Sequence, residues 1–423
     1  MTILEERDDT MRTYAFGWDF GNTETGAVMI VRGKQLRFTT PTAFARVDTT
    51  TMQSLASLEN GEDVEDKGKI KTKGKGVDAP VVVEDPNAPL PVIEPNKIIV
   101  QLQGESMSFA YGQYALTQNG EPWTGRGDHQ RYASSYALRG LLASSALMQS
   151  DKEYGLSIVA GLPAEYYLRY PKLRDDIKAR LTGVHTFTLD GGQTWRTAHV
   201  EVTAIVMEGA GALITYPGLS KVSEAAVIDV GGGTTDLYAQ LGATPIDTYC
   251  KGTPVAVESA TAILKKTFSQ KYKRPLTDKE ARDTMRAFAS GKKKNFPQVA
   301  AFGLPVPVEE LQSMVEEAVA SIAEDIVGFI SATWRDGIAR FVPILLIGGG
   351  AFYFFDAIKN RIDHVVVHSD PTFANAIGYA TLAARRLMKK MQAAAQVAAE
   401  EKEKEKERAK GVVEVGVGVA SQE

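Results

Sequence analysis

The sequence predicts an α/β protein, and three observations carry that expectation. Short apolar runs with strand-like alternation are interleaved with longer segments of helical periodicity. Three glycine-rich turns, at Asp19–Thr25, Asp229–Asp236 and Gly348–Ala351, each follow such an apolar run. Of 423 residues 44% are hydrophobic, enough to build cores for the two or three domains that this length implies.

Taken in order, Thr13–Arg32 (TYAFGWDFGNTETGAVMIVR) reads as two strands around a polar, glycine-containing turn, a hairpin with functional residues at its tip. Residues 98–117 alternate as strands again. Between them, 59–97 begins with an acidic cluster and Lys-Gly repeats and ends rich in proline. Little of it can be buried, so it reads as a weakly ordered insertion, with a partner-binding loop as the alternative.

A helix is expected over 131–149, then a buried strand and a Gly-Leu-Pro turn in LSIVAGLPAEYY (156–167), with a helix through Arg180. Residues 185–209 give further strands, and AAVIDVGGGTTDLYAQLG (225–242) is strand, glycine turn, strand. Helices are expected at 254–270, 277–289 and 307–335, followed by a buried strand, three glycines and a helix in RFVPILLIGGGAFYFFDAIKNRI. A last helix starts near Pro371 and continues past Met391, and the charged tail from Ala399 is expected to fray and become disordered.

The formal net charge is −4, a poor balance for coating nucleic acid by bulk electrostatics. The single cysteine, Cys250, excludes intrachain disulfides and cysteine-based zinc sites and fits a reducing, cytoplasmic compartment. The acidic N-terminus does not read as a secretory signal, and the longest mostly apolar stretch free of charge, Phe341–Phe355, is too short for a membrane span. RRLMKK in the last helix lacks the aromatic residues of a membrane-surface segment. The five histidines show no metal-ligand spacing, and there is no GxxxxGK[ST] sequence.

The chemistry is expected at the three turns. In the first two, Asp19 and Asp229 end a strand, a glycine follows two residues on, and threonines come next. A tight glycine turn aims successive backbone N–H groups into one concavity that suits phosphate oxygens. Gly21 and Asn22, and Gly231, Gly232 and Gly233, would form these cradles, with Thr23, Thr234 and Thr235 adding hydroxyl donors and Asp236 closing the second turn. Asp19 and Asp229 would hold a hydrated Mg2+, which needs only one or two carboxylates. Two such turns face to face would clamp a polyphosphate. The third turn, Gly348, Gly349, Gly350 and Ala351, lets an adenine or ribose lie against backbone.

These residues resemble the actin-like ATPase superfamily: DFGNTET its first phosphate motif, VIDVGGGTTDL its second, LIGGGA its adenosine motif and VTAIVMEGAGAL its connecting segment. GLPAEYY and DPTFANAIGYATL are similar to the ParM/StbA-type plasmid-segregation actins, over roughly residues 13–390. The resemblance implies two domains of related mixed-sheet architecture with a nucleotide cleft between them. Domain I would span 13–210 with the insertion 59–97, and domain II 211–369. The segment 370–398 would be a helix returning to domain I, and 399–423 the disordered tail. It implies ATP (or GTP) with Mg2+, Glu208 orienting the attacking water, and Asp229 beside it as a catalytic residue. One departure stands out: many actins carry a phosphate-touching lysine seven residues after the first Asp, and here that position is Gly26.

The function implied is a filament-forming ATP hydrolase that assembles head to tail and moves plasmid or other DNA through an adaptor protein, without touching nucleic acid or membrane itself. A small-molecule kinase on the same fold is the alternative. A chaperone ATPase would need a peptide-binding domain for which the tail has no room, and a non-hydrolysing scaffold would not need Asp19, Asp229 and Glu208.

Overall fold

The structure is a computed structural model that describes residues 11–47, 94–118, 121–219 and 223–417, with side chains as far as 404. The bulk of the expected insertion, 59–93, and the last residues of the tail lie outside the described residues.

Two mixed sheets organise the chain. The first takes its strands from residues 13–207: β1 (Thr13–Phe20), β2 (Glu24–Val31), β3 (Lys34–Pro41), β4 (Phe44–Val47), β5 (Ile99–Leu102), β6 (Ser108–Tyr111), β7 (Glu153–Leu162), β8 (Gly183–Thr188) and β9 (Trp195–Met207). Their order is β3-β2-β1-β7-β9-β8-β5-β6-β4. Helices α1 (Ser135–Ala146), α2 (Ala164–Arg169), α3 (Leu173–Leu181) and α4 (Ala210–Ile214) accompany them. β1 pairs antiparallel with β2 and parallel with β7.

The second sheet repeats that plan. Its strands are β10 (Glu224–Val230), β11 (Thr235–Leu241), β12 (Thr244–Pro245) and β13 (Lys251–Thr253), then, after α5 (Val257–Tyr272), α6 (Asp278–Ala289), the two-residue strands β14 (Ala300–Ala301) and β15 (Leu304–Pro305) and α7 (Val308–Trp334), β16 (Ile344–Ile347), α8 (Ala351–Arg361) and β17 (Val365–Val367). β14 and β15 pair only with each other; the rest run β12-β11-β10-β16-β17, with β13 also on β11. β10 pairs antiparallel with β11 and parallel with β16, as β1 does with β2 and β7.

The periodicity explains which face goes where. Along β1, Tyr14, Phe16, Trp18 and Phe20 alternate with Ala15, Gly17 and Asp19. The aromatic face joins Leu138, Leu141 and Leu142 of α1 in one core. The small face receives α9 (Ala374–Val417): Ala15 packs with Tyr379 and Ala383, and a Cβ on Gly17 would stand 2.1 Å from the Ala376 carbonyl oxygen. α9 also meets α4 backbone to backbone, since a Cβ on Gly378 would lie 1.9 Å from the Gly211 carbonyl oxygen. In β10, Ala226, Ile228 and Val230 pack under α5, α7 and α8, while Ala225 and Val227 join Ala164 of α2 and Leu213 of α4.

Two expectations need adjustment. The tail from 399 is expected to be a helix that frays into disorder, whereas α9 continues as helix to Val417. Glu and Lys are good helix formers, and pairs such as Glu401–Lys404 stand three apart on one face. The edge strand β3 was not expected, because five of its eight residues are exposed and its sequence, KQLRFTTP, lacks a clean alternation.

Candidate functional site

The strand ends of both sheets converge on one cleft of 450 Å³. The β1–β2 turn and the β10–β11 turn meet there. A Cβ added to Gly232 would stand 2.0 Å from the Thr23 hydroxyl oxygen, and one on Gly233 would be 2.9 Å from the Asn22 Cβ. Only glycine permits that approach. The first turn is tied down by Thr42, whose hydroxyl donates to the Gly21 carbonyl at 2.8 Å and whose N–H donates to the Thr23 carbonyl at 2.8 Å. The second is closed by the Gly231 N–H on the Thr234 carbonyl at 2.8 Å and braced by the first turn of α5, where the Glu258 N–H reaches the Gly232 carbonyl at 2.8 Å.

Four carboxylates share the floor: Asp19, Glu208, Asp229 and Asp236. Burial pushes Asp19 up to about 6, against the pull of the Asn375 amide and the Arg131 guanidinium. Asp236 is also pushed up to about 6 by burial, opposed by Thr234 and by the Ala164 N–H, which donates to its Oδ1 at 3.2 Å. Burial and then the neighbouring acids hold Glu208 and Asp229 well above the usual carboxylate range. Buried carboxyls this close disfavour one another's charge, and among the described residues no three of the acids or histidines are arranged to hold a metal ion directly. Glu208 is 8% exposed and its Oε1 has no protein partner; the Asn22 Oδ1 is likewise buried and unpartnered. Both are acceptors available to water or a hydrated ion.

Asn375, on the first turn of α9, joins the two halves. Its Nδ2 donates to Asp229 Oδ2 at 2.7 Å, it hydrogen-bonds Asp19 as well, and its Oδ1 accepts the Gly209 N–H at 3.0 Å. Arg131 supplies buried positive charge behind the first turn. It is 1% exposed, its guanidinium lies 4.7 Å from the Phe20 ring centroid, and it donates to the carbonyls of Phe20, Gly21 and Thr124. With Gly26 in place of a lysine, this arginine holds the first turn from behind rather than reaching into the cleft. At the mouth, two ion pairs span the domains: Arg126–Glu258 at 2.5 Å and Arg286–Glu24 at 3.0 Å.

Residues 17–211 match the family model described as the actin-like proteins N-terminal domain. Among solved structures, a 15-stranded ParM filament from Clostridium botulinum superposes with a TM-score of 0.63 at 17% identity, covering 89% of this chain and all of that one. The actin-like protein Alp7A gives 0.63 at 16% identity, covering 91% of this chain and all of its own. An archaeal actin homologue, Ta0583, in complex with ADP gives 0.62 at 19% identity, with 89% and 100% covered. The chain has the actin-like fold, and its first half matches the actin-like N-terminal domain. No curated protein sequence matches it.

On this actin-like frame, most of the residues singled out from the sequence meet in the cleft: Asp19, Gly21, Asn22, Thr23, Glu208, Asp229, Gly231, Gly232, Gly233, Thr234, Asp236, Gly348 and Gly349 all line it. Three do not. Thr235 is fully buried and its hydroxyl donates to the Val255 carbonyl at 2.7 Å, so it braces the loop before α5 instead of facing a phosphate. Gly350 packs on Val230, where its N–H meets the Val230 carbonyl at 2.7 Å, and Ala351 is buried as the first residue of α8. Gly349 alone of the third turn has open space where a Cβ would be, which leaves it free to lie under a flat ring.

The sequence reading missed Asn375, Arg131 and the wall of the cleft beyond the turns, formed by Glu258 and Thr261 of α5, Met285 and Arg286 of α6 and Tyr353 of α8. Asn375 sits inside DPTFANAIGYATL, a segment valued only for its helix, and a polar side chain on the small-residue face of that helix was the available signal. Among the described residues no helix is long and apolar enough to cross a membrane.

Proposed function

We propose that this chain is a filament-forming ATPase that binds ATP with Mg2+ between its domains, hydrolyses it, and moves plasmid or other DNA through an adaptor protein. The observation that carries the reading is the pair of facing glycine turns, with Gly232 against Thr23, over a floor of four buried carboxylates. Backbone N–H groups of both turns would hold the phosphates, with Thr23 and Thr234 beside them. Asp19 and Asp229 would hold the cation through water, and a bound divalent ion supplies neutralisation of the charge on the phosphoryl group. The free Oε1 of Glu208 would accept a hydrogen bond from the attacking water and orient it. Asn375 keeps the two aspartates in register between the domains. Gly349 and the Tyr353 side would bound the base, and the paired arginines at the mouth would restrain its exit. The ADP complex of the archaeal actin homologue supports nucleotide in this cleft, and the ParM filament supports self-assembly.

The test is sedimentation and ATPase activity of the pure chain over a range of concentrations with Mg-ATP, with Mg-ADP and without nucleotide. The expected result is a critical concentration in Mg-ATP, polymer that shrinks as ADP accumulates, and activity per subunit that rises with concentration. Flat scattering together with acceptor-dependent phosphoryl transfer would sink the filament reading in favour of a small-molecule kinase.

A further inference from the structure

The cleft holds buried polar atoms that the protein itself leaves unpaired. Among the described residues that line it, three such atoms lack a protein partner: Asn22 Oδ1, Glu208 Oε1 and the hydroxyl of Tyr132. The first two are acceptors, which water can satisfy. Tyr132 brings the donor of the set. Trp18 and Tyr379 also carry buried unpartnered groups, but neither lines the cleft.

Local structure holds this ring still. Tyr132 belongs to a short 3-10 turn, His129–Ala133, directly before α1. Asp128 caps the turn by accepting the Gln130 N–H at 2.9 Å, and Ser134 caps α1 by accepting the Ala137 N–H at 3.2 Å. The Tyr132 side chain is 2% exposed. Its ring meets Phe20 edge-on with centroids 6.1 Å apart, meets Tyr166 in the same way at 6.1 Å, and carries the Arg131 guanidinium 4.8 Å from its centroid. A phenylalanine would make each of those contacts without burying a hydroxyl. An unpaired buried hydroxyl costs stability, so its presence calls for a partner that comes with a ligand. Burial holds the phenol well above its usual value, with Glu208 and Asp236 adding to the rise against the pull of Arg131, so the group remains a donor.

The first half of the cleft is short of side-chain donors. Gly26 offers none, and the Arg131 guanidinium is spent on the carbonyls of Phe20, Gly21 and Thr124. We propose that the Tyr132 hydroxyl is a catalytic donor that gives its hydrogen bond to an oxygen of the phosphoryl group in transit. The inference rests on the ATPase reading and deepens it. In hydrolysis the water oxygen bonds to the γ-phosphorus as the bond from that phosphorus to the bridging oxygen breaks. ADP leaves with that electron pair, both hydrogens of the water finish on the released dihydrogen phosphate, and Tyr132 keeps its proton. Glu208 and Tyr132 thus serve one step from two sides, the acceptor on the water and the donor on the phosphoryl oxygen. A donor fixed in advance where charge gathers lowers the barrier without tightening the ground state.

The experiment compares the full chain with Tyr132→Phe. In thermal melts without nucleotide the variant is expected to be at least as stable as the parent, because an unpaired buried group is removed. Mg-ADP is expected to bind both alike. Mg-ADP with aluminium fluoride, a stand-in for the phosphoryl group in transit, is expected to bind the variant about tenfold or more weakly than the parent. Single-turnover hydrolysis at matched assembly, checked by sedimentation in a slowly hydrolysed analogue, is expected to slow about a hundredfold. A variant that melts earlier shows that the hydroxyl holds the fold together and overturns the assignment. Equal weakening of the ADP and the fluoride complexes overturns it too, since that marks ground-state binding. Hydrolysis by the variant at the parent's rate overturns it and leaves the ATPase reading standing. If the parent itself hydrolyses no ATP at any concentration, the ATPase reading fails and takes the role of Tyr132 with it.

Discussion

Replacing Asn375 by alanine is the sharpest test of how the two domains are held in register. The side chain is 4% exposed and makes three kinds of contact: to Asp229 Oδ2 at 2.7 Å, to Asp19, and from the Gly209 N–H at 3.0 Å. A hydrogen bond to a charged group contributes about 1.5–3 kcal/mol, and a buried N–H left without a partner costs about 1–3 kcal/mol. These terms overlap because water enters part of the space, so the expected loss is about 3 kcal/mol in the nucleotide-free chain. Urea unfolding, compared at equal slope, measures it. Asn375→Asp separates the terms. It keeps an acceptor for Gly209 but sets a fifth carboxylate against the four, so it is expected to be at least as damaging. A loss below about 1 kcal/mol for alanine, or an aspartate variant milder than the alanine one, would refute the bridging role.

Glu208→Gln removes the charge from the unpartnered cleft acceptor and is expected to bind nucleotide but hydrolyse it about a hundredfold more slowly; hydrolysis at the wild-type rate contradicts the water-orienting role. Arg126→Ala and Arg286→Ala break the exposed pairs across the mouth, so melts are expected to change by less than about 1 kcal/mol while a fluorescent nucleotide leaves several times faster, and high salt is expected to reproduce the effect in the parent chain. Glu280 is held down at about 2, first by Arg274. A depressed carboxylate stabilises the fold above its unfolded value near 4.5 and loses that contribution as pH falls through about 2. Because the pair is partly exposed the contribution is about 1 kcal/mol, and Glu280→Gln is expected to flatten the stability profile between those two pH values, as urea titrations at several pH values would register.

The parts of the site that the sequence revealed are those in which one short segment carries both the scaffold and the chemistry. In TYAFGWDFGNT the alternation that buries Phe16, Trp18 and Phe20 also fixes where Asp19 emerges, so the strand and its terminal acid are read together. VIDVGGGTTD works the same way. The residues that escaped arrive from far along the chain: Arg131 is 110 positions from the Gly21 carbonyl it grips, and Asn375 is 146 from Asp229. Their roles depend on pairings between sheets and helices that local periodicity does not encode. Thr235 misled for a related reason. In a strand adjacent threonines point to opposite faces, so Thr234 and Thr235 cannot both reach the cleft. The β14–β15 hairpin was missed because two-residue strands show no alternation.

The repeated plan of the two sheets makes Gly26 informative. Asp19 pairs with Gly26 across the first hairpin at the same place that Asp229 pairs with Asp236 across the second. The second half spends this position on an acid, and the first leaves it empty. A Cβ on Gly26 would meet nothing closer than the Asp19 Cβ, at 3.9 Å, so a side chain fits and would project beside that carboxylate. Gly26→Lys would therefore set a cation next to an acid that burial pushes up to about 6. Two gains are expected: about 0.5–1 kcal/mol from restricting the unfolded chain at a strand position, and about 1 kcal/mol from the new opposite charge. Gly26→Ala isolates the first, and the lysine variant measured against it gives the second. A lysine variant no more stable than the alanine one would show that Asp19 is already compensated, and that Arg131, from behind the turn, supplies all the positive charge the first half of the cleft requires.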